Sequence, residues 1–187
     1  MANTYLNTII ERIARVSQEA QNAFGGLSAN QLNWKPGEKQ WSVGQCLEHL
    51  IVSNRTYFPQ LKALGDDTRT PTFWERMPLL PGLWGKLLLK SITPEPRQKM
   101  ASPTAFRPVL SQAPADIVGQ FTAHNQELVK HLRNTRGLNH RHTIITSPAN
   151  RIIVYSLYDA VNILANHEER HLLQAKRVME MEAFPKN

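Results

Sequence analysis

Four segments of this 187-residue chain repeat apolar side chains at three- and four-residue steps, and this helical period is its most constraining feature. The period predicts helices over Thr4–Phe24, Ser42–Leu64, Pro114–Asn134 and Ser156–Met181. Amphipathic helices of this length bury their apolar stripes against one another, as in a four-helix bundle. We therefore predict an all-α fold in a single domain that covers residues 1–187.

Local signals support the predicted helix ends. Ser42 and Gln45 have the S-x-x-Q spacing of a capping box at the start of the second helix. Pro59 lies inside that helix and predicts a kink or an earlier end. Gly25 and Gly26 follow the first helix, where we expect a left-handed C-terminal cap. The stretch LSANQLNWKPGEKQW then predicts a linker to the second helix.

The segment from residue 66 to 114 has a different composition, because eight of the twelve prolines fall between Pro71 and Pro114. It predicts a long proline-rich connection between helices 2 and 3, with short helical pieces such as PGLWGKLLLKS. Its many leucine and tryptophan side chains predict packing on the bundle or on a second subunit. After the third helix, NHRHTIITSPANR predicts a loop with at most one short extended piece.

Composition narrows the class of protein. The single cysteine, Cys46, excludes an internal disulfide and favours a reducing compartment. No apolar run approaches 18 residues, and the N-terminus lacks the order of a signal peptide. We therefore expect a cytoplasmic protein with no membrane partner.

The formal charge of +7 is unevenly distributed, because no acidic residue lies between Leu128 and Tyr158. Five basic side chains lie in that stretch: Lys130, Arg133, Arg136, Arg141 and Arg151. A solvated basic surface and an anion-binding surface both fit this pattern. No helix-turn-helix, zinc finger or aromatic RNA-binding motif accompanies it, so nucleic acid is a disfavoured partner.

Two histidines four residues apart, His167 and His171, leave one face of the fourth predicted helix. His49 interrupts the apolar stripe of the second helix. Three neutral imidazoles with open coordination positions describe a catalytic metal site, whereas exposed or hydrogen-bonded histidines are the alternative. His167 to His171 also matches the H-E-x-x-H pattern of zinc proteases, but a metzincin requires glycine at position 174 and a third histidine ligand at position 177, and this chain has Gln174 and Arg177.

Two motifs carry a family resemblance. WKPGEKQWSVGQCLEHLIVSN, around His49, and NHEERHLLQAKRV, around His167 and His171, resemble the second and fourth helices of the DinB-like (DinB/YfiT) superfamily of metalloenzymes. LSANQLNW and SPTAFRPV extend the similarity, whereas the middle connection matches poorly. The resemblance implies an up-down-down-up bundle and a divalent metal, zinc or nickel, held by His49, His167 and His171. It also implies a homodimer.

The resemblance also implies a function. Some members of the superfamily transfer low-molecular-weight thiols such as bacillithiol. We therefore expect a divalent-metal-dependent enzyme that acts on a small-molecule substrate, as a thiol S-transferase or a hydrolase. The alternative is a non-catalytic dimeric helical bundle, an interaction or stress-response module whose metal site is structural or vestigial.

Two further groups of side chains are candidates for the chemistry. Glu168 adjoins a predicted metal ligand and is the candidate catalytic base, although an exposed surface position is the competing interpretation. Arg133, Arg136 and Arg141 are candidates to hold the carboxylates of a low-molecular-weight thiol cofactor. His124 lies on the apolar stripe of the third helix, where a core histidine is the simpler interpretation.

Overall fold

The computed structural model describes residues 4–77, 80–91 and 112–186, and the chain is mostly helical, as an all-α fold requires. Within these ranges the helices are α1 (Thr4–Phe24), α2 (Ala29–Asn33), α3 (Val43–Arg55), α4 (Phe58–Gly65), α5 (Leu80–Ser91), α6 (Ile117–Asn134) and α7 (Leu157–Met179). A 3₁₀ turn (Trp74–Arg76) and two short strands, β1 (Ile144–Thr146) and β2 (Val154–Ser156), complete the described elements.

The helical period predicted most helix limits to within three residues. α1 has the predicted limits, while α6 begins at Ile117 rather than Pro114. α7 begins at Leu157, one residue after the predicted start, and Ser156 is its N-cap, because Ser156 Oγ accepts a hydrogen bond from the Asp159 N–H.

The second predicted helix is divided in two. α3 ends at Arg55 and α4 begins at Phe58. Pro59 lies in the first turn of α4, where a missing N–H removes no helical hydrogen bond. Pro59 was predicted to cause either a kink or an earlier end of the second helix, and the structure shows the earlier end, at Arg55.

The capping box predicted at the start of α3 is present. The Gln45 N–H donates to Ser42 Oγ at 3.1 Å, and the Ser42 N–H donates to Gln45 Oε1 at 3.3 Å. Ser28 and Gln31 form a second capping box, which begins α2 inside the stretch predicted to be a linker. The same S-x-x-Q spacing in the sequence could have revealed that helix.

The glycines after α1 do not form the predicted left-handed cap. Among the described residues, no glycine has a positive φ. At Gly25 a Cβ atom would lie 2.5 Å from the Gln21 carbonyl oxygen, so close packing excludes a side chain there. The predicted end of the helix is right, but the predicted mechanism is wrong.

α1 and α7 run side by side in the same direction. Arg12 Nε donates to Glu169 Oε1 at 2.7 Å, and Lys176 Nζ donates to Glu19 Oε2 at 2.6 Å. Residue numbers therefore rise together along the two helices.

α6 runs opposite to α1, and α3 runs opposite to α7. Asn125 Nδ2 donates to Ser17 Oγ at 2.9 Å, and the Arg136 guanidinium donates to Asn7 Oδ1 at 3.0 Å. Along the other pair, Trp41, which precedes α3, stacks on His171 in the second half of α7. Tyr57 follows α3 and Tyr155 precedes α7, and their hydroxyl groups share a hydrogen bond of 2.8 Å.

An antiparallel hairpin connects α6 to α7. Ile144 pairs with Ser156, and Thr146 pairs with Val154. The sequence predicted at most one short extended piece, because strands of three residues are too short to show alternation. α5, within the predicted connection, packs against β2 and α7, while residues 78–79 and 92–111 of that connection lie outside the described residues.

Buried apolar side chains form two clusters. One of them packs around the predicted histidine ligands of α3 and α7. That cluster includes Leu47 and Leu50 of α3, Phe121 of α6 and Leu172 of α7. Burying a side chain of this size contributes about 1.5–3 kcal/mol. Within the described residues, no helix combines the length and the apolar character that crossing a bilayer requires.

Gly44 offers a test of the close packing at the start of α3. A Cβ atom there would lie 2.5 Å from Ala113 Cβ and 3.0 Å from the Leu32 carbonyl oxygen. We expect Gly44→Ala to lower the free energy of unfolding by about 1–3 kcal/mol, because it overpacks this contact. Urea denaturation followed by circular dichroism measures the change.

Gly119 provides the matched control, because it is exposed in the first turn of α6 and a Cβ atom there would meet no neighbouring element within 4 Å. Gly119→Ala should raise the free energy of unfolding by about 0.5–1 kcal/mol, because alanine favours the helix. Equal effects of the two substitutions would contradict the close approach at Gly44.

Candidate metal centre

The three predicted metal ligands lie together between α3 and α7. His49 projects from the middle of α3, and His167 and His171 project from successive turns of α7. His49 is 2% exposed and His171 is 7% exposed, while His167 is partly exposed. The two antiparallel helices thus bring together residues that are more than a hundred positions apart in the chain.

The imidazole nitrogens of the triad converge. His49 Nε2 lies 3.0 Å from His167 Nε2, and one ligand atom from each of the three histidines lies within 4.8 Å of the others. The ring centroids are 4.5 Å apart for His49 and His171, and 4.6 Å apart for His167 and His171.

Trp41 forms an aromatic wall beside the triad. Its ring stacks on His171 with centroids 5.5 Å apart, and it lies tilted on His49 with centroids 4.7 Å apart. The sequence placed Trp41 just before the cap of α3 but did not indicate contact with α7. This contact restricts the orientation of two of the three imidazoles.

Burial keeps the α7 imidazoles neutral. It lowers the pKa of His167 to about 3, and the charges of His49 and Arg170 add to the shift. Burial also places the pKa of His171 well below its usual range; the charges of His167, His49 and Arg170 add to it, and a hydrogen bond with Gln174 opposes it. Neutral imidazole is the form that binds a metal ion, so no proton must first be removed at neutral pH.

The donor set fits a divalent cation. Tetrahedral zinc with bonds of about 2.0–2.1 Å holds its ligand nitrogens about 3.3 Å apart, close to the separation of His49 Nε2 and His167 Nε2. Nδ1 of His171 is buried and has no hydrogen-bond partner among the described residues. Burying polar nitrogens in this way is costly unless a ligand satisfies them.

Glu168 faces the interior of the bundle. Its side chain is fully buried, and its carboxylate accepts hydrogen bonds from Asn54 Nδ2 at 2.8 Å and from Asn125 Nδ2 at 3.0 Å. Burial raises the pKa of Glu168 to about 8, although the two amide hydrogen bonds oppose the shift. The competing interpretation of the sequence, an exposed position, is therefore wrong, and the role of Glu168 as a catalytic base stays a prediction.

The three predicted cofactor-binding arginines are exposed and lie away from the triad. Arg133 and Arg136 lie at and just beyond the end of α6, and the Arg141 guanidinium lies 4.2 Å from the ring centroid of Tyr158. Tyr158 precedes His167 by nine residues, about 14 Å along a helix axis. The structure thus does not bring these arginines to the histidines, and their role stays a prediction.

Arg170 lies on α7 between His167 and His171, and its charge helps to lower the pKa of both imidazoles. It was not predicted from the sequence. Its position three residues after His167, on nearly the same helix face, was a usable signal.

His124 is a core histidine, as its place on the apolar stripe indicated. It is 4% exposed and stacks on Phe58 with ring centroids 5.0 Å apart. Neither of its ring nitrogens has a hydrogen-bond partner among the described residues. Burial and the nearby charge of Arg55 lower its pKa to about 4.

A cavity of about 340 Å³ lies elsewhere on the molecule, between the end of α4, the 3₁₀ turn and β1. Arg69, Glu75 and His142 are among its lining residues. Its lining contains none of the triad histidines, so the metal centre is separate from it.

Comparison of the sequence with models of known protein families identifies the family of this chain. The family model for the DinB superfamily matches residues 12–175, which include all three triad histidines. No curated protein and no solved structure matches the chain.

The buried histidine His124 predicts a pH dependence of stability. Its folded pKa lies below the unfolded value of about 6.5, so the unfolded chain binds the extra proton first. His124 therefore does not lower the free energy of unfolding at pH values above its unfolded pKa. The free energy of unfolding declines as the pH falls from 6.5 toward 4, because the unfolded chain takes up the proton more readily. At pH 5 the loss is about 2 kcal/mol.

His124→Leu should remove this part of the pH dependence, because it deletes the titrating group and two unpartnered nitrogens. Urea denaturation at pH 7 and pH 5, with a chelator present, measures the difference from the wild-type protein. The exposed His142→Leu serves as the control and should keep the wild-type pH dependence. An unchanged pH dependence in His124→Leu would refute the assignment.

Proposed function

Because this chain belongs to the DinB superfamily, we propose that it is a divalent-metal-dependent enzyme whose metal is held by His49, His167 and His171. The observation that carries the proposal is the convergence of three buried or partly buried imidazoles within 4.8 Å. Zinc and nickel are the proposed metals, since both accept imidazole nitrogen.

The proposed reaction is thiol S-transfer or hydrolysis on a small-molecule substrate. A divalent metal held by three imidazoles supplies Lewis acidity, which makes a thiol or a water molecule a better nucleophile near neutral pH. The chain itself supplies the neutral histidines, the Trp41 wall and the positive charge of Arg170. In the same proposal, Glu168 remains the candidate base, and Arg133, Arg136 and Arg141 remain candidates to hold a thiol cofactor.

We further propose that α1, α3, α6 and α7 form the up-down-down-up bundle that the family resemblance implies. Three sets of contacts support this order. α1 and α7 run in the same direction, α6 runs opposite to α1, and α3 runs opposite to α7.

A homodimer and a cytoplasmic location also stay proposals. Sedimentation equilibrium would test the homodimer.

Metal content provides the direct test of the triad. We expect about one divalent ion per chain in wild-type protein purified without an affinity tag, and its loss in His49→Ala and His171→Ala. Elemental analysis after reconstitution with zinc or nickel measures both.

The exposed His142→Ala is the matched control, since it removes a histidine away from α3 and α7 and should keep the ion. Wild-type protein that holds no metal after reconstitution would exclude the triad as a metal site.

A coordination position of the metal that is open to other ligands would distinguish a catalytic metal site from a structural one. In cobalt-substituted protein, we expect added bacillithiol to change the visible absorption spectrum, because an open site exchanges a ligand. Replacing Arg133, Arg136 and Arg141 by glutamate should weaken the binding of bacillithiol about tenfold or more, since charge-assisted contacts to its carboxylates are lost. The metal content should not change.

Reversing three exposed lysines elsewhere, Lys62, Lys86 and Lys90, controls for net charge and should leave the binding unchanged. A spectrum that does not respond to thiol or other ligands would favour the alternative function, a non-catalytic module with a structural metal. A response that is equal in both charge-reversed proteins would remove the arginines from the proposal.

A further inference from the structure

A buried polar network joins the four long helices at the level of the triad. Glu168 of α7 accepts hydrogen bonds from Asn54 of α3 and Asn125 of α6. Asn125 Nδ2 also donates to Ser17 Oγ of α1 at 2.9 Å. Each of the four helices therefore contributes one side chain to the network, and Glu168 is its acidic member.

The same network connects the two helices that carry the histidines. Glu168 lies between His167 and His171 in the sequence, and Asn54 lies five residues after His49. The hydrogen bond from Asn54 to Glu168, 2.8 Å long, is thus a direct polar tie between α3 and α7 beside the proposed metal site.

We infer that Glu168 is a positioning residue, which sets the rotation of α7 so that His167 and His171 face His49. This inference rests on the proposed metal function. Successive residues differ by about 100° around a helix axis, so a fixed Glu168 fixes the directions of both flanking imidazoles. Metal affinity depends on such supporting contacts, because they hold the ligands in place before the ion binds.

The surroundings of the carboxylate favour this positioning role over the role of catalytic base that was proposed for Glu168 above. Glu168 is 0% exposed, and each of its oxygens accepts an amide hydrogen bond. A substrate would have to displace these contacts to reach the carboxylate. Two directional hydrogen bonds constrain the rotation of α7 more narrowly than non-directional apolar contacts do.

Zinc affinity of the folded protein tests the inference. We expect Glu168→Ala to weaken zinc binding by about 10–100-fold, the usual effect of removing a contact that supports metal ligands. The visible spectrum of the cobalt-substituted variant should also change, because the ligands are no longer held in one arrangement. Competition with a chromophoric chelator measures the zinc affinity.

In contrast to Glu168→Ala, the variant Glu168→Gln should bind zinc within about threefold of the wild-type affinity, because glutamine can keep both hydrogen bonds. Asn54 Oδ1 and Asn125 Oδ1 have no hydrogen-bond partner among the described residues, so either amide can turn to accept from the new amide group. Leu128→Ala is the control for stability alone: it creates a cavity in α6, costs about 2–5 kcal/mol and should leave zinc affinity unchanged.

Asn125→Ala provides a second test if Glu168→Ala does not fold, since it removes one of the two ties and should weaken zinc binding several-fold. Wild-type zinc affinity in Glu168→Ala or, failing that, in Asn125→Ala would overturn the inference. So would an equal loss in Leu128→Ala, or a failure of Glu168→Gln to restore binding. Wild-type protein that binds no zinc would instead remove the proposed function itself.

Discussion

The central constraint in this structure is the burial of polar side chains between α3, α6 and α7. A buried carboxylate is costly unless hydrogen bonds compensate it, and Glu168 obtains two, from Asn54 and Asn125. These contacts require the helices to pack at one height and in one rotation. The apolar clusters around them supply most of the stabilisation, and the hydrogen bonds add directional constraints to it.

The triad depends on the same packing. Its three imidazoles come from two antiparallel helices, and Trp41 packs over two of them. Burial keeps the α7 imidazoles neutral by penalising the charged form, and Arg170 adds to this effect. A site built in this way has its nitrogens ready for a cation, because the cost of desolvation and orientation is met during folding.

The helical period and cap signals made much of the fold predictable. α1 was predicted with its observed limits, and the capping box of Ser42 and Gln45 begins α3 where expected. The hairpin was missed because its strands have three residues each. Contacts between distant elements, such as α5 on β2, leave no periodic signal in the chain, so the sequence did not predict them.

The sequence by itself determined which residues can serve as ligands, because the spacing of His167 and His171 places both on one helix face whatever surrounds the helix. It also indicated His49, as a polar interruption of an apolar stripe. Only the tertiary structure decided that these three meet, that Glu168 points into the bundle rather than into solvent, and that Arg133, Arg136 and Arg141 lie away from the triad. The physical reason is that local periodicity fixes the face a side chain occupies, whereas helix packing fixes what that face meets.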